Sequence, residues 1–173
     1  GMVDGDLLML SKPLGVGVLL STREQSDEEI ALEQMKVSNL AARNSLAELG
    51  SAVHAVTDVT GFGLIGHLNE MLGTSFLNAQ VHLPSQAVLP QAQSLFDSGK
   101  RTSADARNRA ALDREVTGLT ESNFQAAMFD PQTNGGLLAS IDPEFEIQLV
   151  EQGFITVGKV VTGSGKIEIL SHQ

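Results

Sequence analysis

Three glycines, Gly61, Gly63 and Gly66, punctuate the run TDVTGFGLIG between two stretches of different hydrophobic period. Residues 52–57 alternate weakly and carry two valines, which predicts a strand; residues 62–72 place apolar side chains at helical spacing. A strand entering a helix through a glycine turn confines the chain to folds mixing sheet and helix, and it puts backbone N–H groups at the helix start beside a flexible turn. The same spacing matches the dinucleotide fingerprint, which also requires an acid at the end of the next strand, about twenty residues on. NAQVHLPSQAV offers no acid there, and the earlier segments do not alternate as βαβ units, so a nicotinamide dinucleotide is not expected.

The remaining segments extend this mixed pattern. Leu7–Leu10 predicts a strand running into a turn at Lys12 and Pro13, where Pro13 is also allowed at a helix start, and Gly15 and Gly17 keep that turn tight. Ser26 and Glu29 have capping-box spacing, and the apolar positions after them predict one long helix or two abutting ones closing at Gly50. Residues 79–83 predict a strand, residues 87–96 a helix broken or started at Pro90, and the polar residues 98–108 a surface loop. Ser122 is placed as the cap of a helix ending before Asp130 and Pro131, followed by a buried strand over Leu137–Ile141. A helix over residues 143–152 and a hairpin of residues 154–161 and 166–170 across TGSG complete the chain. With no repeat, linker or low-complexity segment, residues 1–173 read as one α+β domain, a mixed β-sheet flanked by α-helices.

Charge and composition narrow the chemistry. Eleven basic against twenty-one acidic side chains give a net charge of −10 with no basic stripe, so a nucleic-acid partner is not expected. That field repels ATP at long range, and a nucleotide site would need local compensation from backbone N–H groups, a metal ion or another chain. The absence of cysteine removes disulfides, thiolate metal sites and a thiol nucleophile. No apolar run approaches the length of a membrane span and the acidic start is unlike a secretory signal; a soluble, cytoplasmic protein is expected. Gly1 before Met2 reads as a remnant of cloning.

Asp58, three residues before the turn, is a hard oxygen ligand. Beside phosphates a carboxylate is repulsive unless a Mg²⁺ ion bridges the two. The competing reading is that Asp58 or Thr60 caps the helix and the glycines serve packing. In DPQTNGG, a turn-forming Asp-Pro precedes two amides and paired glycines, either lining a polar site or simply joining a helix to a strand. Lys12 is a weaker phosphate candidate, expected to be solvated. His54, His67, His82 and His172 lack metal-ligand spacing, and Arg101, Arg107, Arg109 and Arg114 sit among Asp105 and Asp113 as ordinary surface pairs.

HAVTDVTGFGLIGHL resembles the signature of selenophosphate synthetases, and GDLLMLSKPLGVGVL, DPQTNGGLL and VGKVVTGSGKIEIL agree with the same family in the same order. The resemblance implies the carboxy-terminal domain of the superfamily that includes aminoimidazole ribonucleotide synthetase. It makes Asp58 a magnesium ligand and places Thr57, Thr60, Gly61, Gly63, Gln132, Thr133 and Asn134 at a nucleotide site. The implied reaction converts selenide, ATP and water to selenophosphate, AMP and phosphate, supplying selenocysteine biosynthesis. In that family the reactive Cys or selenocysteine, an essential Lys and most metal-binding acids lie in a preceding amino-terminal domain. No catalytic residue is therefore expected in this chain, which should have little activity alone and form a homodimer when full length. A purine-pathway synthetase, a thiamine-monophosphate kinase, or a stand-alone nucleotide-binding or interaction module remain as alternatives. Val16 and Asn134 depart from the Thr and Ser common in the family, and Val16 removes a hydroxyl.

Overall fold

The computed structural model describes residues 1–119 and 123–170. Seven strands form one mixed sheet in the order β2-β5-β1-β6-β3-β7-β4: β1 is Leu7–Leu10, β2 Val53–Asp58, β3 Leu77–Val81, β4 Val116–Thr117, β5 Leu137–Ile141, β6 Ile155–Thr162 and β7 Ile167–Ile169. The pairings from β2 to β3 are antiparallel; β3–β7 and β7–β4 are parallel. The α+β expectation with a mixed sheet holds.

Helices α1 (Val16–Thr22), α4 (Gly63–Leu72) and α5 (Pro90–Asp97) cover one face; α3 (Leu40–Glu48) and α7 (Glu146–Glu151) cover the other. The period-two strand pattern explains this division. Leu8 and Leu10 enter the larger core with Leu64, Ile65 and Leu68, whereas Met9 between them joins Leu46, Ala139, Ile141 and Leu149. α2 (Gln25–Lys36) contributes only Ala31 as a fully buried side chain, and α6 (Asp105–Ala110) is short and polar. No helix among the described residues is long and apolar enough to cross a membrane.

Four local expectations change. The tight turn gives way at once to a helix over residues 16–22, which starts after Gly15 and not at Pro13, with the amide oxygen of Gln132 accepting from the Gly15 and Val16 N–H groups. α2 begins at Gln25 with no side-chain cap, so the Ser26–Glu29 capping box is not formed. Part of the expected loop 98–108 is helical, anchored by the buried Asn108. Strands β6 and β7 are not a hairpin: β3 lies between them. The expected cap Ser122 lies outside the described residues, and Asn123–Met128 is a 3-10 helix.

The displaced hairpin has a side-chain cause. Asn78 on β3 accepts hydrogen bonds from the N–H groups of Ser164 and Lys166, each 2.9 Å, and donates to Glu168 at 2.8 Å. The TGSG turn is thus wrapped around Asn78, carrying the chain over β3 before it pairs again. Replacing Asn78 with Ala leaves two N–H groups without their acceptor, and we expect a loss of about 2–3 kcal/mol in urea unfolding. An unchanged midpoint would mean that this clasp contributes nothing.

Candidate functional site

The glycine turn closes the end of β2. Asp58 is the last residue of that strand, paired with Leu137 of β5, and Val59 extends the ladder by donating to the Gly136 carbonyl at 2.8 Å. Val59 is fully buried, while Asp58 and Thr60 flank it at exposed and half-buried positions. The chain then turns through Gly61 and Phe62 into α4, with Gly63 donating to the Thr60 carbonyl at 3.1 Å.

The glycines have separable roles. At Gly63, φ is +71° and a Cβ would stand 2.9 Å from the Met128 carbonyl oxygen, so the scaffold demands glycine. A Cβ on Gly66 would meet that of Phe62 at 2.5 Å. Gly61 differs: nothing lies within 4 Å of the place its Cβ would take, and its φ is ordinary. Packing does not require Gly61, and its bare backbone faces open space where a ligand could approach.

Neither Asp58 nor Thr60 caps α4, which has no side-chain cap. The Thr60 hydroxyl is turned to the buried His67, with Oγ1 3.0 Å from Nε2, and His67 Nδ1 is 2.9 Å from Glu70 Oε2. On the other side, Asn108 donates from Nδ2 to the Gly61 carbonyl at 2.9 Å and the Phe129 carbonyl at 3.0 Å. In the sequence alone, His67 reads only as a histidine without metal-ligand spacing and Glu70 is passed over; their i, i+3 spacing on the helix after the turn is the signal that could have found the pair. Asn108 carried no sequence signal.

DPQTNGG packs behind this turn. The Gln132 N–H donates to the Thr60 carbonyl at 2.9 Å, joining the two motifs directly. The buried Gln132 side chain accepts at Oε1 from Gly15 and Val16, each 3.2 Å, and donates from Nε2 to the Asp130 carbonyl and carboxylate at 2.9 and 3.0 Å. All of its amide capacity is spent inside the fold. Asn134, with φ +50°, reaches the Met35 carbonyl at 2.5 Å; Thr133 is exposed. Thr57, Asp58, Thr60, Gly61 and Gly63 therefore share the turn, while Gln132 and Asn134 bind backbone behind it.

Lys12 is not solvated. It is buried, donates to the carbonyls of Val37 and Asn134 at 2.6 and 2.8 Å, and has its pKa lowered by burial. Val16 is buried in the core, which accounts for an apolar residue there. Arg109 pairs with Asp105 at 3.0 Å, as expected, and also stacks 3.9 Å over the Phe129 ring. Asp58 offers one exposed carboxylate, and among the described residues no group of three or more acidic, His or Cys side chains could hold a metal ion. One hard oxygen fits a single magnesium ligand; the remaining ligands would come from elsewhere.

Residues 3–169 match the family model described as AIR synthase related protein, C-terminal domain. The chain belongs to this family. It is 36% identical over 178 residues to a selenide, water dikinase of Burkholderia ambifaria, covering 95% of this chain and 50% of that protein. A selenide, water dikinase of Dechloromonas aromatica is also 36% identical, over 98% of this chain and 52% of its own length. The chain thus spans about half the length of the curated relatives it matches. Among solved structures, thiamine monophosphate kinase of Aquifex aeolicus superposes with a TM-score of 0.63 at 16% identity, covering 96% of this chain and 50% of that one, which shows a shared fold.

Behind the turn of this AIR synthase-related domain lies a carboxyl group in an unusual state. Burial raises the Asp130 pKa from 3.8 to about 7, against the opposing pull of the Val18 N–H, the Gln132 amide and the Gly17 N–H; the charge of Asp105 adds to the rise. Oδ2 accepts from Val18 and Gln132, whereas Oδ1 is buried without a hydrogen bond. A raised folded-state value means that the folded chain holds a proton that the unfolded chain has lost between about pH 4 and 7. Stability from this group is full below that window and falls as pH rises through it, by an amount on the order of a few kcal/mol. Urea midpoints at pH 5 and 8 should differ more in the wild type than in Asp130→Asn, which keeps the acceptor and does not titrate. Equal pH dependence in the two proteins would show that Asp130 is ionised throughout.

Proposed function

We propose that this chain is the carboxy-terminal half of an ATP- and Mg²⁺-dependent selenophosphate synthetase, turning selenide, ATP and water into selenophosphate, AMP and phosphate. The observation that carries this reading is the 36% identity to selenide, water dikinases across 95% of the chain. The local geometry supports it: an exposed carboxylate, a glycine with open space at its Cβ position and a helix start lie within a few residues of one another.

Each element has a definite task in such a site. Asp58, held by its ladder to β5, would present one oxygen ligand to a magnesium ion, which would supply the charge that offsets the phosphates. Gly61 lets the nucleotide approach the backbone, and Gly63 starts α4, whose N-terminal dipole favours an anion. The exposed Thr133 and the half-buried Thr57 offer hydroxyls to a ligand, whereas the Thr60 hydroxyl is engaged with His67. Gln132 and Asn134 contribute by holding the turn and the loop behind it in place. The thiol or selenol, the remaining metal ligands and the dimer contacts belong to an amino-terminal half. With one exposed carboxylate at the turn, no larger ligand group among the described residues and no cysteine in the sequence, the isolated chain is expected to turn over little.

In the full-length parent protein, Asp58→Asn should raise the Mg²⁺ concentration needed for half-maximal AMP release by roughly tenfold or more, with the thermal midpoint retained. Unchanged Mg²⁺ dependence would remove Asp58 from the metal site. Selenide-dependent AMP release by the 173-residue chain alone would overturn the half-site reading.

A further inference from the structure

Thr60, His67 and Glu70 form a continuous relay: hydroxyl to Nε2 at 3.0 Å and Nδ1 to carboxylate at 2.9 Å. His67 is only 7% exposed, and the Phe62 ring lies beside the imidazole at a 47° tilt, with centroids 5.6 Å apart. Glu70 is 56% exposed in its side chain, so the relay runs from the surface of α4, through a buried ring, to the turn that carries Asp58.

With Glu70 ionised and His67 neutral, donor and acceptor rules fix the polarity of the relay. An ionised carboxylate only accepts, so His67 must donate from Nδ1. A neutral imidazole then has a bare Nε2, and the hydrogen bond to Thr60 can be made only by the Thr60 O–H donating into it. The hydroxyl proton is thereby committed inward, leaving Thr60 Oγ1 with lone pairs alone for any further contact.

We propose that His67 and Glu70 are positioning residues that hold the Thr60 hydroxyl as a hydrogen-bond acceptor, so that it takes a donor group, namely the water shell of a divalent cation, rather than a phosphate oxygen. This deepens the proposed function and rests on its placement of the cation beside the turn. An exposed carboxylate at Asp58 and an acceptor-only hydroxyl at Thr60, flanking the buried Val59, both suit a hydrated cation and repel an unaccompanied phosphate. Phosphate is left to the backbone N–H groups. Thr60 then helps to select the magnesium-bound form of the nucleotide.

Long-range proton–nitrogen spectra of the 173-residue chain at pH 8, with the His67 signal assigned by its loss in His67→Gln, should show protonated Nδ1 and bare Nε2. In Glu70→Ala a population with the proton on Nε2 should appear. A wild-type ring already protonated at Nε2 would overturn the relay, since His67 would then donate to Thr60. In full-length enzyme, Glu70→Ala should raise the half-saturating Mg²⁺ concentration several-fold, with kcat at saturating Mg²⁺ and the thermal midpoint little changed, and Thr60→Val should raise it at least as much. A shifted tautomer with unchanged Mg²⁺ dependence would overturn the positioning role. If the full-length wild type shows no selenide-dependent ATP turnover, the synthetase reading fails while the ring spectrum still decides the relay.

Discussion

The hydrogen bond from the Gln132 N–H to the Thr60 carbonyl, 2.9 Å long, joins two motifs that are far apart in the chain, and the candidate site depends on it. One partner begins the glycine turn; the other belongs to the loop that organises the surrounding elements. From that loop Gln132 holds the start of α1, Asn134 reaches the end of α2, and Gly136 receives Val59. The turn is consequently braced from behind by backbone and amide contacts buried in the fold, while Asp58 and Gly61 face outward. Such bracing favours a preformed ligand surface, since the groups that would meet a nucleotide lose little freedom when it arrives.

Much of this organisation was legible in the residues. β1, β2, β5 and α4 have apolar patterns bounded by glycine or proline, and their short-range signals agree with the tertiary structure. Elements decided by distant side chains were not legible. TGSG between two apolar runs reads as a hairpin by local rules, yet Asn78 captures the turn backbone and β3 enters between the strands. Residues 98–108 have no apolar period, but Asn108 stabilises a short helix by spanning the Gly61 and Phe129 carbonyls. A polar residue with buried long-range partners leaves no periodic trace.

The site shows the same division. Asp58, Thr60 and the glycines were legible as candidates because strand, turn and helix succeed one another in sequence and the run resembles a family signature. The inward role of Gln132 was not, since an amide that might line a pocket and one that ties a helix start to a loop look alike until neighbours are known. Lys12 illustrates the point in reverse: a cation expected in water is held by the carbonyls of Val37 and Asn134 beneath the same loop. The fold-level match to thiamine monophosphate kinase adds no choice of substrate, because the scaffold can host different chemistries.

As proposed, the turn is a rigid wall of a shared site, built in advance and too sparse in charged ligands to hold a nucleotide by itself. Calorimetric titration of the 173-residue chain with ATP in the presence of Mg²⁺ tests this most directly. Heats that do not saturate, against clear saturation in the full-length parent, are the predicted result; one-to-one saturable binding of comparable affinity by the isolated chain would contradict it.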